Sequence, residues 1–147
     1  MTKNSVSIGN SGEYFVAGEL ERRGFTVALP MANVKDFDLL AINRDTYEQF
    51  AIQVKTTVHN KKSWPMNKKN ENLIGNNILY FLVYLNGTDM PEYHIVPSAV
   101  VADTIRKAHQ KWLREPGTNG QPHNDNPIRV FKDEEDLYKD RWDLLNV

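Results

Sequence analysis

The pattern of apolar and polar positions along the chain predicts a few helices and several short strands. An amphipathic helix of about 13 residues begins near Asn10 or Ser11 and ends before Gly24, a typical helix stop. Alternating or continuous apolar runs predict strands at 25–29, 36–42, 47–57, 78–85, 92–96 and 129–132. Further helices are predicted at 98–114, with Val101, Ile105, Ala108 and Trp112 in one stripe, and at 133–145. Residues 59–77 have the character of a polar connection. This order predicts an α/β or α+β fold, a central mixed β-sheet flanked by helices, in one domain spanning 1–147.

The strands 36–42 and 47–57 form the clearest predicted hairpin, because Asn43-Arg44-Asp45-Thr46 between them is turn chemistry. A two-residue loop would pair Asp38 with Ala51, and a four-residue loop would pair it with Gln53. Residues directly opposite in a hairpin point to the same face. Either loop therefore puts Asp38 on the face of Gln53 and Lys55, whereas a three-residue loop without a bulge would separate them.

Polar side chains occur at positions that the pattern assigns to apolar faces. Glu13 shares a helix face with Val16, Ala17 and Leu20, while Glu19, Arg22 and Arg23 are predicted to face solvent. Its plainer interpretation is a first-turn glutamate that favours the helix dipole. Asp38 shares a strand face with Leu40 and Ile42, although aspartate is disfavoured in strands. Its plainer interpretation is a strand-edge aspartate facing water. For Gln53 and Lys55 the alternative is the solvated face of an amphipathic strand.

Composition narrows the functional classes. The chain has 147 residues, 40% hydrophobic and 25% charged, with a net charge of −1 and no cysteine. Disulfides and thiolate metal sites are excluded, and histone-like coating of nucleic acid is not expected. No apolar run approaches the roughly 20 residues needed to cross a bilayer. Since Met1 to Gly12 also lacks an apolar signal core, we expect a cytoplasmic location and no membrane partner.

One basic segment is a candidate surface for nucleic acid; it contains Lys61, Lys62, Trp64, Lys68 and Lys69. The lysines would lie along a phosphate backbone, and the tryptophan would stack on an unpaired base. The alternative is a solvated loop with one anchoring tryptophan. Phosphate contacts carry no sequence information, so no recognition sequence follows from this segment.

The motifs from Gly9 to Thr57 resemble the PD-(D/E)XK nuclease superfamily, which has the restriction-endonuclease-like fold. They are Gly12-Glu13, Gly24-Phe25-Thr26-Val27, Asp38-Leu39-Leu40-Ala41 and Ile52-Gln53-Val54-Lys55-Thr56. Their layout is similar to that of archaeal Holliday-junction resolvases. The rest of the chain is similar to an uncharacterised bacterial branch, through Trp64, Tyr80-Phe81-Leu82-Val83, Tyr93-His94-Ile95-Val96-Pro97 and Arg141-Trp142-Asp143-Leu144-Leu145. Phe37 replaces the usual proline, and Gln53 stands where Asp or Glu is usual.

This resemblance implies a metal-dependent nuclease that hydrolyses phosphodiester bonds in nucleic acid, with DNA as the expected substrate. It further implies a role in restriction, repair or defence. It implies Mg²⁺, with Mn²⁺ as a substitute, as the cofactor and no small-molecule cofactor. Asp38 would be the main ligand, joined by the Gln53 side-chain oxygen, the Val54 carbonyl and Glu13, the last through water or a second ion. Lys55 would orient the attacking water and stabilise developing charge. Glutamine removes one negative charge, so a modest metal affinity is expected.

Two other hypotheses stay open. The same fold could bind nucleic acid or a protein with little or no cleavage, which the glutamine favours. Alternatively, the chain is a subunit whose activity needs a homodimer, because one chain supplies one site whereas a duplex has two strands. Lys55→Ala discriminates the first two hypotheses, since an enzyme loses cleavage and retains binding. The sequence does not indicate whether the substrate is duplex, branched or single-stranded DNA, or RNA.

Overall fold

The structure, a computed structural model, describes residues 4–30 and 37–147. Its helices and strands follow one another as α1 (Ser5–Arg22), β1 (Phe25–Ala28), β2 (Leu39–Asn43), β3 (Gln49–Thr57), β4 (Ser63–Asn67), a first 3₁₀ helix (Lys68–Asn72), β5 (Ile78–Tyr84), β6 (Glu92–Pro97), α2 (Ser98–Arg114), β7 (Ile128–Lys132) and a second 3₁₀ helix (Trp142–Leu145). The predicted start of the second strand at Asp36 lies outside the described residues.

Within the described residues, five strands form one sheet in the order β1-β2-β3-β5-β6. The pairs β1–β2, β2–β3 and β5–β6 are antiparallel, and the pair β3–β5 is parallel. The chain passes from β3 to β5 through β4 and the first 3₁₀ helix, because parallel neighbours need a crossover connection. The prediction of a central mixed sheet flanked by helices is confirmed.

The two faces of the sheet carry separate cores. One core joins α1 to the sheet and contains Val16, Leu20, Phe50, Ile52, Val54 and Phe81. The other joins α2 and the β4–β7 pair to the opposite face and contains Trp64, Tyr80, Leu82, Val101, Ile105 and Phe131. On this α2 face Tyr80 and Leu82 of β5 are buried, whereas Ala51, Gln53 and Lys55 of β3 are only half-buried. The part of the face that carries Gln53 and Lys55 is therefore accessible beside a covered half of the sheet.

The β2–β3 hairpin has the longer of the two even-length loops. Leu39 pairs with Ile52 and Ile42 with Gln49, and the N–H of Asn43 donates to the Glu48 carbonyl at 2.8 Å. The loop therefore consists of residues 44–47. The prediction that an even loop forms here is confirmed, and the paired residues of β2 begin at Leu39.

Helix α1 starts earlier than predicted. The Asn4 side chain caps it by accepting two N–H groups of the first turn at 3.0 and 3.1 Å. The predicted start near Asn10 or Ser11 is wrong, because the Ser11 hydroxyl donates to the Ser7 carbonyl at 2.7 Å inside the helix. Glu13 consequently lies in the middle of α1 and has no role at the positive helix end.

The predicted solvent-facing position of Glu19 is also wrong, since its exposed fraction is 8%. Its carboxylate accepts from Nε of Arg23 at 3.2 Å, and the Arg23 guanidinium lies 3.8 Å from the centre of the Trp142 ring. A buried carboxylate is tolerated here because it is ion-paired and hydrogen-bonded. These contacts attach the end of α1 to the second 3₁₀ helix.

The connection predicted at 59–77 contains ordered elements. Strand β4 pairs antiparallel with β7, and Trp64 and Met66 are buried while Pro65 between them is exposed. This period of two is strand geometry. The sequence predicted only a polar connection here and missed β4, because its partner strand β7 lies far along the chain.

The predicted closing helix is largely absent from the described residues. The Asp133 carboxylate accepts the N–H groups of Leu137 and Tyr138 at 2.9 and 3.0 Å, and Asp136 has a left-handed φ of 57°. Such side-chain-to-backbone bonds compete with helical ones. Only the short 3₁₀ helix Trp142–Leu145 forms.

Helix α2 matches its predicted span, but its apolar stripe is incompletely covered. Val101 and Ile105 are buried, whereas Ala108 is exposed and Trp112 is half-buried, stacked on His123 at 4.0 Å. Ala108 and Trp112 border a groove between α2 and β7.

Neither helix in the described part of the chain has the length and apolar character that a membrane span requires.

Candidate nuclease site

Asp38 lies directly before β2 and is tied to β3 by two hydrogen bonds. Its N–H donates to the Ile52 carbonyl at 2.8 Å, and its Oδ2 accepts the N–H of Val54 at 2.8 Å. Ile52 is the register partner of Leu39, so the first bond departs by one residue from the regular ladder. The carboxylate is thereby held against the β3 backbone between Gln53 and Lys55.

The Val54 carbonyl lies on the edge of β3 that faces Asp38, and Gln53 directly precedes Val54 in this strand. In an antiparallel ladder the N–H and C=O of one residue leave the strand on the same edge. Since the N–H of Val54 reaches Asp38, its carbonyl also faces the Asp38 edge, beyond the last ladder pair Leu39–Ile52. Gln53 is half-buried on the α2 face of the sheet. The structure therefore places the Val54 carbonyl on the Asp38 edge of β3, next in sequence to the half-buried Gln53.

Lys55 is a half-buried lysine on the same face as Gln53. Burial lowers its pKa from the ordinary value, the Asp38 carboxylate opposes this by raising the pKa, and the Lys69 ammonium lowers it further. The Lys55 ammonium therefore lies within range of the Asp38 charge, and Lys69 is a second cation nearby. A lysine with a lowered pKa gives up a proton more readily than an exposed one.

Glu13 approaches the site from α1. It is half-buried, and its pKa is raised first by burial and second by the negative charge of Asp38. Two neighbouring carboxylates repel each other when both are ionised, and a shared cation relieves this repulsion. Asp38 is thus an electrostatic neighbour of both Glu13 and Lys55, although the three residues come from separate parts of the chain.

A close approach of α1 to β3 sets the position of Glu13. A Cβ built on Gly12 would lie 1.9 Å from Oγ1 of Thr56, so only glycine allows this contact. Thr56 directly follows Lys55 in β3, and its side chain points to the opposite face, toward α1. The sequence identifies Gly12 only as part of the Gly12-Glu13 motif. Its role in helix–strand packing depends on Thr56, which is far away in sequence.

The donor set at this site fits a hard divalent cation. Across residues 4–30 and 37–147, no cluster of three or more His, Cys, Asp or Glu side chains could hold a metal ion. This site instead has two carboxylates, Glu13 and Asp38, with the amide oxygen of Gln53 and the carbonyl of Val54. Magnesium usually takes one or two protein carboxylates and fills its remaining positions with water and phosphate oxygens.

The basic segment does not form one continuous surface. Strand β4 separates Lys61 and Lys62 from Lys68 and Lys69, and Nζ of Lys62 pairs with Asp136 at 2.6 Å. Lys61, Lys68 and Lys69 are exposed. Of these lysines, Lys69 contributes to the lowered pKa of Lys55 through the repulsion between the two positive charges.

The predicted stacking role of Trp64 is wrong. Its side chain is fully buried, with an exposed fraction of 0%, and its indole N–H donates to the Val83 carbonyl at 3.0 Å. One ring contact is with His94 at 5.0 Å between centroids. The tryptophan anchors β4 to the sheet, which agrees with the alternative of an anchoring tryptophan.

The first 3₁₀ helix is a part of the site region that sequence reasoning missed. Asn67 and Asn70 form a reciprocal capping box, and Nδ2 of Asn70 donates to the Tyr80 hydroxyl at 2.9 Å. A sequence signal was present, since a capping box places two polar side chains three residues apart. The capping box was not recognised because further asparagines and lysines surround it in the sequence.

Comparisons with known proteins were made at the level of sequence and of structure. No protein-family model and no curated protein sequence matches the chain. The bacterial homing endonuclease I-Ssp6803I matches with a TM-score of 0.60 and 10% identity, over 98% of this chain and 92% of that one. The Holliday junction resolvase Hjc of Archaeoglobus fulgidus, an archaeal hyperthermophile, matches with a TM-score of 0.55 and 12% identity, over 93% of each chain. The chain has the restriction-endonuclease-like fold, which confirms the fold implied by its motifs.

Proposed function

We propose that this restriction-endonuclease-like domain is a metal-dependent nuclease that hydrolyses phosphodiester bonds in DNA. The observation that carries the proposal is the Asp38 carboxylate, which is bound to the Val54 N–H at 2.8 Å and acts electrostatically on both Glu13 and Lys55. Ionisable groups with pKa values perturbed by burial and by one another are typical of active sites. The two solved nucleases of the same fold add support from outside the chain.

Asp38 and Glu13 would hold the ion, with the Gln53 amide oxygen and the Val54 carbonyl as further oxygen donors. Bound there, Mg²⁺ would supply electrostatic stabilisation of the negative charge that develops on the phosphoryl oxygens. Only two of these donors are charged, so the metal affinity of the free protein is modest. A bound phosphate raises it by adding negative charge.

The residues of the chain would orient the reacting groups. A water oxygen forms a bond to phosphorus and loses a proton to solvent, the bond from phosphorus to the leaving sugar oxygen breaks, and that leaving oxygen takes up a proton from solvent. Lys55 donates a hydrogen bond to the attacking water or to a phosphoryl oxygen. Its lowered pKa makes it a stronger donor than an exposed lysine. The hydrogen bond from Val54 keeps Asp38 oriented through this reaction.

The proposal is tested with labelled duplex, branched and single-stranded DNA and with RNA, each incubated with Mg²⁺, Mn²⁺ or a chelator. We expect metal-dependent cleavage of DNA by the wild type and its loss in Asp38→Ala and Lys55→Ala. Lys107→Ala is the matched control, because Lys107 is an exposed lysine of α2, outside the candidate site and the basic segment. Cleavage that persists in Asp38→Ala, or an inactive wild type, would contradict the nuclease proposal.

A second candidate function is a nucleic-acid-binding module with little or no cleavage, and Gln53 is the observation that favours it. Glutamine leaves the site one carboxylate short of the usual pattern. Lys55→Ala separates the two candidates when binding is measured by fluorescence anisotropy beside cleavage. An enzyme loses cleavage and retains binding in this variant, whereas a binding module has no metal-dependent cleavage to lose.

A further inference from the structure

A groove of about 490 Å³ lies between α2 and β7. Its α2 side includes Ala108 and Trp112, and its β7 side includes Ile128, Val130 and Lys132. The exposed fractions of Ile128 and Val130 are 65% and 39%. Apolar side chains that are exposed together along a groove of this size are typical of a binding site.

The groove follows the outer edge of β7, the edge that does not face β4. Arg129 and Val130 point to opposite faces of the strand and both line the groove, as expected where a groove runs along a strand edge. The N–H of Asp133 donates to the Lys62 carbonyl at 2.9 Å, so the backbone groups of Asp133 and, two residues back, of Phe131 face β4. Those of Val130 face away from β4. In the described part of the chain, the Val130 N–H and C=O have no hydrogen-bond partner.

The charge along the groove is positive. Arg129 and Lys132 line it, and none of its lining residues among those described is acidic. Arg129 is buried and already paired, with its Nε 2.8 Å from Oε1 of Glu71. Lys132 is exposed, and its ammonium lies 4.0 Å from the exposed Glu134 carboxylate, so this pair contributes little. Lys132 is therefore the charge available to a ligand, and it favours an acidic one.

We propose that this groove binds an extended, acidic peptide segment of a partner protein, which adds a strand to the outer edge of β7. The peptide backbone pairs with the free N–H and C=O of Val130, and an acidic side chain pairs with Lys132. Alternate apolar side chains of the peptide enter the groove beside Ala108 and Ile128. In this mode of recognition, main-chain hydrogen bonds supply affinity and the groove supplies specificity. None of the proposed nuclease residues takes part, so the inference is independent of the proposed function.

The first test measures the binding of labelled peptides to the full chain by fluorescence anisotropy. The probe has about eight residues, alternates valine with threonine and carries a glutamate at each end. Two control peptides carry N-methyl groups on one or the other set of alternate amides, because each set lines one edge of a strand. We expect saturable binding of the unmodified probe and of one control, and a loss of binding of the other control. No binding of the probe, or equal binding of all three peptides, overturns the inference.

The second test changes the two sides of the groove. Ala108→Arg places a large side chain at an exposed position of α2 that lines the groove, and Gln110→Arg is the matched control at an exposed position of α2 outside the lining. Val130→Pro removes the free N–H of β7 without removing a bond to β4. We expect Ala108→Arg and Val130→Pro to weaken probe binding about tenfold and Gln110→Arg to retain the wild-type affinity. If Val130→Pro unfolds by circular dichroism, Ala108→Arg decides, and wild-type affinity in Ala108→Arg overturns the inference.

The third test decides the chemistry of the partner. A probe with lysine at each end should bind the wild type about threefold more weakly than the glutamate probe, and Lys132→Glu should reverse this order. An unchanged order in Lys132→Glu overturns the inference of an acidic partner. Displacement of the probe by DNA would assign the groove to nucleic acid, and a dimer in sedimentation that Ala108→Arg dissociates would assign it to a second copy of the chain. Either of these two results also overturns the inference.

Discussion

Asp38 and Val54 are joined by a hydrogen bond of 2.8 Å from the Val54 N–H to the Asp38 carboxylate. This contact uses backbone of β3 and does not depend on a ligand, so the carboxylate is oriented before metal or substrate arrives. Preorganised groups need not be reordered during the reaction, which is where much of the catalytic advantage of a rigid site originates.

Asp38→Asn should abolish metal-dependent cleavage while the fold is retained. The amide keeps an oxygen acceptor for the Val54 N–H, so the free energy of unfolding should change by no more than about 1 kcal/mol. The lost negative charge should decrease single-turnover cleavage by at least about 10²-fold. Asp45→Asn, an exposed aspartate in the loop of the same hairpin, is the control. Unchanged cleavage in Asp38→Asn would exclude Asp38 from the site.

Gln53→Glu should strengthen metal binding. The substitution adds a third carboxylate beside Glu13 and Asp38, and we expect the affinity for Mn²⁺ to increase about tenfold, equivalent to about 1.4 kcal/mol. Gln49→Glu is the control, since Gln49 is an exposed residue of the same strand. Isothermal titration in the presence and absence of DNA measures the change. Equal affinities for the two variants, or no binding even with DNA, would contradict the proposed metal site.

Glu13 should make stability depend on pH in a direction opposite to that of a salt-bridged acid. Its pKa is raised by burial and by Asp38, so the native state holds the proton more tightly than the unfolded state. Its ionisation therefore decreases stability as pH rises from the ordinary glutamate pKa through the raised value. Below that ordinary value, both states are protonated and the penalty disappears.

Glu13→Gln should accordingly raise the Tm at pH 7 in a chelator and leave it unchanged at strongly acidic pH. Saturating Mg²⁺ should stabilise the wild type more than the variant, because the ion relieves the repulsion between the carboxylates. Glu134→Gln, at an exposed carboxylate, should change neither value. A Tm of Glu13→Gln below that of the wild type at pH 7 without metal would show that the ionised carboxylate stabilises the fold.

The face shared by Gln53 and Lys55 was predictable because strand side chains alternate with a period of two. The even hairpin loop was also predictable, whereas Asp38 lies just before β2, where its hydrogen bond to Ile52 departs from the regular ladder. The face of α1 that carries Glu13 was also predictable, because the helical repeat of 3.6 residues places Glu13, Val16 and Leu20 on one face wherever the helix begins. The wrong start near Ser11 therefore did not change which residue was assigned to this face.

The elements missed by sequence reasoning depend on partners that are distant in the chain. Trp64 pairs with Phe131, which is far away in sequence, and this pairing makes β4 a strand despite its polar neighbours. In the closing segment, the spacing of Tyr138 and Trp142 is helical, but the Asp133 carboxylate takes backbone N–H groups that a helix would use. A single sequence does not indicate which of these competing bonds forms.

Gly12→Ala should destabilise the protein and weaken metal binding together. The added methyl would meet Thr56 Oγ1 at 1.9 Å, so α1 must move away from β3, at a cost of about 1–3 kcal/mol typical of overpacking. Glu13 moves with the helix, away from Asp38. Gly18→Ala is a matched control in the same helix, because its Cβ would have no atom within 4 Å. That variant should gain about 0.5–1 kcal/mol from helix propensity.

Thr56→Ala in the Gly12→Ala background separates packing from other effects of alanine. It removes the hydroxyl and the methyl group that the new Cβ would meet, so α1 can return toward β3 and the Mn²⁺ affinity should recover. Chemical unfolding measures the free energy of unfolding, and isothermal titration measures the Mn²⁺ affinity. Both are measured for the wild type, the two single variants and the double variant. A non-additive recovery would show that the Gly12–Thr56 contact positions Glu13. If the double variant binds metal as weakly as Gly12→Ala, the approach of α1 to β3 does not set the metal site.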